Sequence, residues 1–305
     1  MQPTAEQAAF VEALEKLLSQ IPQPSTDGQR SFFSEAADSA LEAGGMLDAA
    51  GFEEYGPLAA ALLVDKVARL PIVVEAATSS LIRPLVCPDW PRPIAVIVGD
   101  MAGAARFLCQ ARSVIFLTGG QARIARIDAG DSLDVSGFFT YPVGRLANPD
   151  ACFARSEPLG DRGECMRLLR IAVAAEINGC LQGALDEVTG YVKIRKQFGR
   201  PLGSFQALQH RLASAASSVA AARLLTFRAA ARGDEAEAVA ALGYAQDCAT
   251  RIVYDLHQFM GAMGLTLEHP LYRWTYRVKL LLSDLGGAYE QLGRLSGMTW
   301  GETAP

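Results

Sequence analysis

The sequence predicts a mainly α-helical protein with a small β-domain in its middle. An N-terminal helical domain is expected over residues 1–87, a reduced β-domain over 88–160, and a C-terminal four-helix bundle over 161–305. Three textures carry that prediction. Apolar residues recur at helical spacing before about Cys87, short β-rich runs follow to about Asp150, and long helical periods return between about Gly163 and Gly297. Half of the 305 residues are hydrophobic, enough for a large core, and the length suits two or three domains.

In the first region Phe10, Leu14, Leu17 and Leu18 share a helical face, as do Leu58, Leu62, Val67 and Leu70. Gly44-Gly45, Gly51 and Gly56-Pro57 cut this part into short helices. Residues 93–98 and 113–118 are β-rich runs, and Gly119-Gly120 makes a hairpin turn into residues 121–128. Pro149-Asp150 closes the strand region. Beyond it, four apolar stripes run Leu181, Leu185, Val188, Val192; then Leu208, Leu212, Ala215, Val219, Ala222; then Leu242, Ala245, Ala249, Ile252, Leu256, Phe259; then Leu281, Leu285, Leu292, Leu295. Breaks fall at 199–201, 233–234 and 261–270. Long helices with short connections pack most simply as a four-helix bundle.

A net charge of -5 and a pI near 5.4 argue against a nucleic-acid or anionic-membrane partner. Residues 1–7 show neither a basic n-region nor an apolar h-region, so no secretory signal is read there. Apolar runs such as 93–98 and 114–117 are too short to span a bilayer. Cys87, Cys109, Cys152, Cys165, Cys180 and Cys248 form no Cys-x-x-Cys pair, and only three histidines accompany them. The expectation is buried thiols in a cytoplasmic protein, with no metal site.

The most informative stretch is residues 191–209, Tyr-Val-Lys-Ile-Arg-Lys-Gln-Phe-Gly-Arg-Pro-Leu-Gly-Ser-Phe-Gln-Ala-Leu-Gln. It reads as a helix end, a tight Gly-Pro turn and a new helix. Taken singly, its residues have plain readings. Arg195 could complement a helix dipole, Phe198 could be core, and Gln206 with Gln209 could be a solvated face. Together they strongly resemble the signature of acyl-CoA dehydrogenases, an Arg-x-x-Phe-Gly turn followed by Pro-Leu, Phe-Gln and a second Gln. That resemblance implies that Arg195, Gln197, Phe198 and Gln206 contact the pyrophosphate and adenosine of an FAD held mainly by a neighbouring subunit. A guanidinium offers the bidentate fit that phosphate oxygens need.

Residues 258–273 are similar to a second family segment, Gln-x-x-Gly-Gly-x-Gly-Tyr-Thr-x-Glu, with Gln258, Gly261 and Gly264 in place and Ala262 where the second glycine stands. Alone, glycines after a helix are usually caps. Beside the upstream turn, the resemblance makes them a surface that a flat adenosine can approach closely.

The same resemblance draws attention to what is missing. The family removes the proton next to the thioester carbonyl with a glutamate, while the flavin accepts a hydride from the next carbon. One position for that base lies 26 residues before the signature Arg and falls on Leu169. The other lies four residues after the loop glutamate and falls on Tyr272. Leucine cannot accept a proton, and tyrosine is mostly protonated at neutral pH. Glu268 matches the loop glutamate, which is not the usual base, and Glu176 is a weak substitute two turns beyond Leu169. The family's Thr-Glu-Pro-x-x-Gly-Ser-Asp stretch, which contacts the flavin ring, has no counterpart between Cys87 and Asp161. The tail Leu285-Gly-Gly-Ala-Tyr-Glu-Gln-Leu stands where many members have Gly-Thr-x-Glu-Ile.

The resemblance therefore implies the smaller, non-catalytic subunit of a heteromeric α2β2 acyl-CoA dehydrogenase, serving a steroid side chain or another bulky acyl-CoA. A longer homologous partner would supply the base and the flavin-ring site. Two alternatives stay open: a self-sufficient homo-oligomer using Glu176 or Glu268, and a non-enzymatic scaffold of the same fold. The family dimerises through its C-terminal helices, and Ala-rich segments 213–222 and 236–245 would let helices approach closely there.

Overall fold

The computed structural model describes residues 4–22, 32–135, 137 and 141–301. Residues 1–3, part of the stretch read for a secretory signal, lie outside them. The chain opens with α1 (Ala5–Ser19), started by a capping box in which Thr4 and Gln7 satisfy each other's backbone N–H. Phe10, Leu14 and Leu18 turn inward, as the spacing predicts. Ser34 caps α2 (Glu35–Ala43), and left-handed Gly45 and Gly56 flank a 3-10 turn at Met46–Gly51 before α3 (Gly56–Ala68). Short helices α4 (Ala77–Leu81) and α5 (Arg83–Val86) complete this part.

The middle region holds β1 (Ile94–Val98), β2 (Ala105–Arg106), β3 (Ser113–Thr118), β4 (Gln121–Arg126), β5 (Ser132–Asp134) and β6 (Val143–Leu146). After these come α6 (Pro149–Ala154) and β7 (Glu157–Gly160). One sheet has the order β1-β3-β4-β7, with β1 parallel to β3 and the other pairs antiparallel; the second has the order β2-β6-β5. Gly119 and Gly120 both take left-handed backbone (φ 56 and 78), the conformation a two-residue hairpin needs. Pro149-Asp150 does not close the strand region. Asn148 caps a helix there and Pro149 occupies its first position, where its missing N–H costs nothing, and β7 then joins the sheet edge.

The bundle is built on α7 (Arg162–Ile194), α8 (Gln206–Arg232) and α9 (Glu235–Met260). The first and third predicted stripes are buried throughout; in the second, Leu208 and Leu212 are half-buried. α7 differs from the expectation that apolar runs here are all short: it is long and apolar enough to cross a membrane, yet 94% of its most apolar window is buried inside the protein. The fourth stripe is not one helix. It divides into α10 (Tyr272–Leu281), packed on α7, and α11 (Gly287–Trp300), packed on α9. Left-handed Leu285, Gly286 and Gly287 lie between them, and Leu292 is left exposed. Of the Ala-rich segments, 236–245 packs largely within the bundle, burying Ala238, Ala241 and Ala245, whereas Ala213, Ala216 and Ala220 on α8 face solvent.

Two glycines let the N-terminal helices dock on this bundle. A Cβ on Gly179 would sit 2.2 Å from the Asp65 carbonyl oxygen, and one on Gly183 would sit 2.5 Å from that of Arg69. None of the six cysteines is in a disulfide; Cys109 and Cys248 are half-buried and not fully enclosed as expected.

Candidate functional site

The first motif forms a two-residue hairpin where a Gly-Pro turn was expected. Arg195 ends α7, its N–H donating to the Tyr191 carbonyl. Strand β8 (Lys196–Gln197) then pairs with β9 (Arg200–Pro201) around a tip of Phe198 (φ 53) and Gly199 (φ 80). The Leu202 N–H donates to the Arg195 carbonyl at 2.8 Å and closes the hairpin. A left-handed backbone is costly for a bulky L-residue, and Phe198 is nonetheless held there with its ring 89% exposed. Arg195, Gln197 and Gln206 are likewise exposed, and among the described residues the Arg195 guanidinium has no ion-pair partner. Gln209 is used locally: its amide donates to the Gly203 carbonyl at 2.7 Å.

The second motif lies at the end of α9. Gln258 is exposed, and Gly261 (φ 59) starts a 3-10 turn, Gly261–Leu265. Nothing stands within 4 Å of where a Gly261 side chain would begin. Gly264 differs: it is buried, and a Cβ there would lie 2.7 Å from Met260 Cβ. His257 lies between the Gly264 carbonyl (2.9 Å) and the Thr275 hydroxyl (3.0 Å), anchoring the turn to α10. Gly264 therefore serves packing, while Gly261 leaves backbone open to a ligand.

Because α7, α8 and α9 alternate in direction with short connections, the end of α7, the start of α8 and the end of α9 share one end of the bundle. Arg211 on α8 pairs with Asp255 on α9, and His269 within the second motif pairs with Glu187 on α7 at 3.2 Å.

The two expected base positions lie apart. Leu169 is buried on α7 and lines a cavity of about 340 Å³ between the sheets and the bundle, with Val96, Val98, Val173, Arg106 and Asp284. Tyr272 begins α10, its buried ring 5.9 Å from that of Phe32, and lines a separate cavity of about 360 Å³ with Tyr254, Leu265 and Tyr276. Glu268 is exposed in the loop. Glu176 is buried with both oxygens engaged: one accepts from the Tyr141 hydroxyl at 2.7 Å, the other from Arg106 at 2.8 Å. Arg106 also reaches Asp284 at 2.9 Å, joining β2, α7 and the α10–α11 turn. Glu75, at the same cavity, accepts from the backbone N–H groups of Thr78, Ser79 and Ile94 and from the Ser79 hydroxyl. Burial pushes its carboxyl above the ordinary range, against the pull of Arg92. A carboxylate wrapped by four donors ties α4 to β1 and has no lone pair facing a substrate.

Arg106 and Asp284 were not foreseen as part of this cavity, nor Tyr141 as the partner of Glu176 behind it. Their partners lie 35 to 178 residues away, so no local spacing signals them.

Residues 163–293 match the family model described as "Acyl-CoA dehydrogenase, C-terminal domain". This stretch carries the C-terminal domain of the acyl-CoA dehydrogenase family. The probable acyl-CoA dehydrogenase FadE25 of Mycobacterium tuberculosis is 38% identical over 117 residues, 36% of this chain and 30% of that protein. The chain matches less than half the length of its first curated relatives in this family. Over its whole length it has the fold of a chain in the ChsE4-ChsE5 complex from Mycobacterium tuberculosis, with TM-score 0.81, 21% identity, and 100% and 99% of the two chains covered. Butyryl-CoA dehydrogenase from Megasphaera elsdenii shares the fold at TM-score 0.73 and 19% identity, with 98% and 99% covered.

The donor set fits the acyl-CoA dehydrogenase cofactor, FAD, at the shared bundle end. A guanidinium suits pyrophosphate, carboxamides suit adenosine edges, and an exposed ring beside open glycine backbone suits a flat base. All of these face outward.

Proposed function

We propose that this chain is the non-catalytic, smaller subunit of a heteromeric FAD-dependent acyl-CoA dehydrogenase. It joins a longer homologous subunit in the cytoplasm and completes that subunit's FAD site through Arg195, Gln197, Phe198, Gln206, Gln258 and Gly261, with Gly264 packing the turn that presents Gly261. The substrate is an acyl-CoA thioester with a bulky chain, such as a steroid side chain. The boundaries 1–87, 88–160 and 161–305 divide the chain in this reading. One observation carries it: the cofactor-type residues are exposed together at one bundle end, while the base positions hold Leu169 and Tyr272. The ChsE4-ChsE5 likeness, a complex of two named proteins, agrees with a heteromer.

Bound FAD supplies a hydride acceptor for the acyl chain. This chain's part is binding and orientation: Arg195 neutralises pyrophosphate charge, Phe198 and the Gly261 backbone flank the adenosine, and Gln206 and Gln258 fix it by hydrogen bonds. Removal of the α-proton falls to the partner. Arg195→Ala in the co-expressed complex should lower FAD affinity roughly 10- to 150-fold, the worth of a charge-assisted bidentate contact, with subunit association nearly intact. Lysine should restore only part of it. Full flavin occupancy and unchanged affinity in the Arg195→Ala complex would remove the cofactor role from this turn.

Exposed apolar side chains on the bundle support the assembly. Tyr289 and Trp300 on α11 are 92% and 75% exposed, and Leu265 is 81% exposed. The chain alone should self-associate at micromolar concentration. A monodisperse monomer by light scattering, unshifted by the longer homologue, would count against the heteromer.

A further inference from the structure

His269 fastens the loop between α9 and α10 to α7. His269 Nδ1 accepts from the Leu271 N–H at 3.3 Å, which assigns the proton to Nε2, 3.2 Å from Glu187 Oε1. The His269 ring also meets Tyr191 edge-on, with centroids 5.7 Å apart. Glu187 and Tyr191 are one turn apart on α7, and the Tyr191 carbonyl accepts the Arg195 N–H that ends the helix. His269 thus bridges the loop that begins at Gly261 and the turn that presents Arg195. We propose that His269 is a positioning residue: it holds the 261–270 loop on the last turns of α7, so that both motifs meet a partner-held FAD as one preorganised surface.

This rests on the reading of the bundle end as an FAD-completing surface. Its physical basis is that rigid placement of a contact surface before binding removes an ordering cost. The bridge does not need a charged imidazole. Burial pushes His269 below its ordinary range while Glu187 opposes that shift, and a neutral ring still donates its Nε2–H to the carboxylate.

The test uses the full chain and its complex with the longer homologue. In the full chain, His269→Ala should speed hydrogen exchange across residues 261–270. His269→Gln, whose amide can still donate toward Glu187, should restore protection. In the complex, His269→Ala should weaken FAD binding about 3- to 10-fold, the span of one lost hydrogen bond, and His269→Gln should recover most of that. Arg195→Ala serves as the control, weakening FAD binding without loosening the loop. Unchanged FAD affinity in His269→Ala, with the Arg195→Ala effect present, would overturn the positioning role and leave the cofactor surface standing. Unchanged affinity in both would remove the surface itself. Equal losses of thermal stability in His269→Ala and His269→Gln, without recovery of FAD affinity, would reduce His269 to a fold-stabilising contact and overturn the proposal.

Discussion

Arg277→Leu is expected to lower the stability of the full chain by about 3–5 kcal/mol, and its melting temperature by roughly 6 °C or more. Arg277 lies on α10 and is 2% exposed. Its guanidinium donates to the carbonyls of Ala68, Leu70 and Ile72, at and beyond the C-terminal end of α3. Those carbonyls include groups a helix end leaves without intrahelical partners. Its remaining donors reach the Cys180 sulfur on α7. One side chain therefore satisfies the end of the N-terminal helical region, α7 and α10 together. Leucine would fill much of the space but strand several buried carbonyls, each costing about 1–3 kcal/mol. Lysine, with one compact ammonium, should recover only part. Urea unfolding of the three proteins measures this. A midpoint for Arg277→Leu within error of the parent would show that water replaces the guanidinium at little cost.

Arg277 also illustrates what a sequence can reveal. Elements with a strict local period were legible: the α9 stripe from Leu242 to Phe259 is buried along its length, and the Gly119-Gly120 turn sets the β3–β4 register. The α10–α11 division was not, because Leu281 and Leu285 keep the helical interval across a turn whose direction depends on the backbone of Leu285, Gly286 and Gly287. Strands β5 and β7 are short or polar, and they exist because neighbouring strands offer edges to pair with. At the candidate cofactor surface, the sequence could name Arg195, Phe198 and Gly261 by resemblance. It could not separate the open Gly261 from the packed Gly264, which only the placement of Met260 decides. Long-range side-chain partners such as Arg106 with Glu176, or His269 with Glu187, leave no trace in local spacing.

The cavity beside Leu169 bears most directly on whether the chain catalyses anything alone. A dehydrogenase of this family needs a carboxylate free to take an α-proton, and general-base catalysis is worth about 10²- to 10⁴-fold. Among the described carboxylates lining that cavity, Glu75 is wrapped by four donors, Asp284 is paired with Arg106, and Asp100, at the edge in a turn, accepts the Ala102 N–H. Glu176 would have to leave both Tyr141 and Arg106 before it could accept a proton. Breaking such a buried pair typically costs about 3–5 kcal/mol, which would slow the reaction a further hundredfold or more. Glu268, exposed in its loop, lies on neither cavity's lining. The isolated chain, given FAD, an artificial electron acceptor and bulky acyl-CoA thioesters, is therefore expected to show no measurable dehydrogenation, while the complex with its longer homologue turns over. Loss of turnover when that homologue's own base is changed to glutamine would place the chemistry in the partner. Conversely, turnover by the isolated chain that disappears in Glu176→Gln or Glu268→Gln would establish a self-sufficient enzyme and overturn the division of labour proposed for the two subunits.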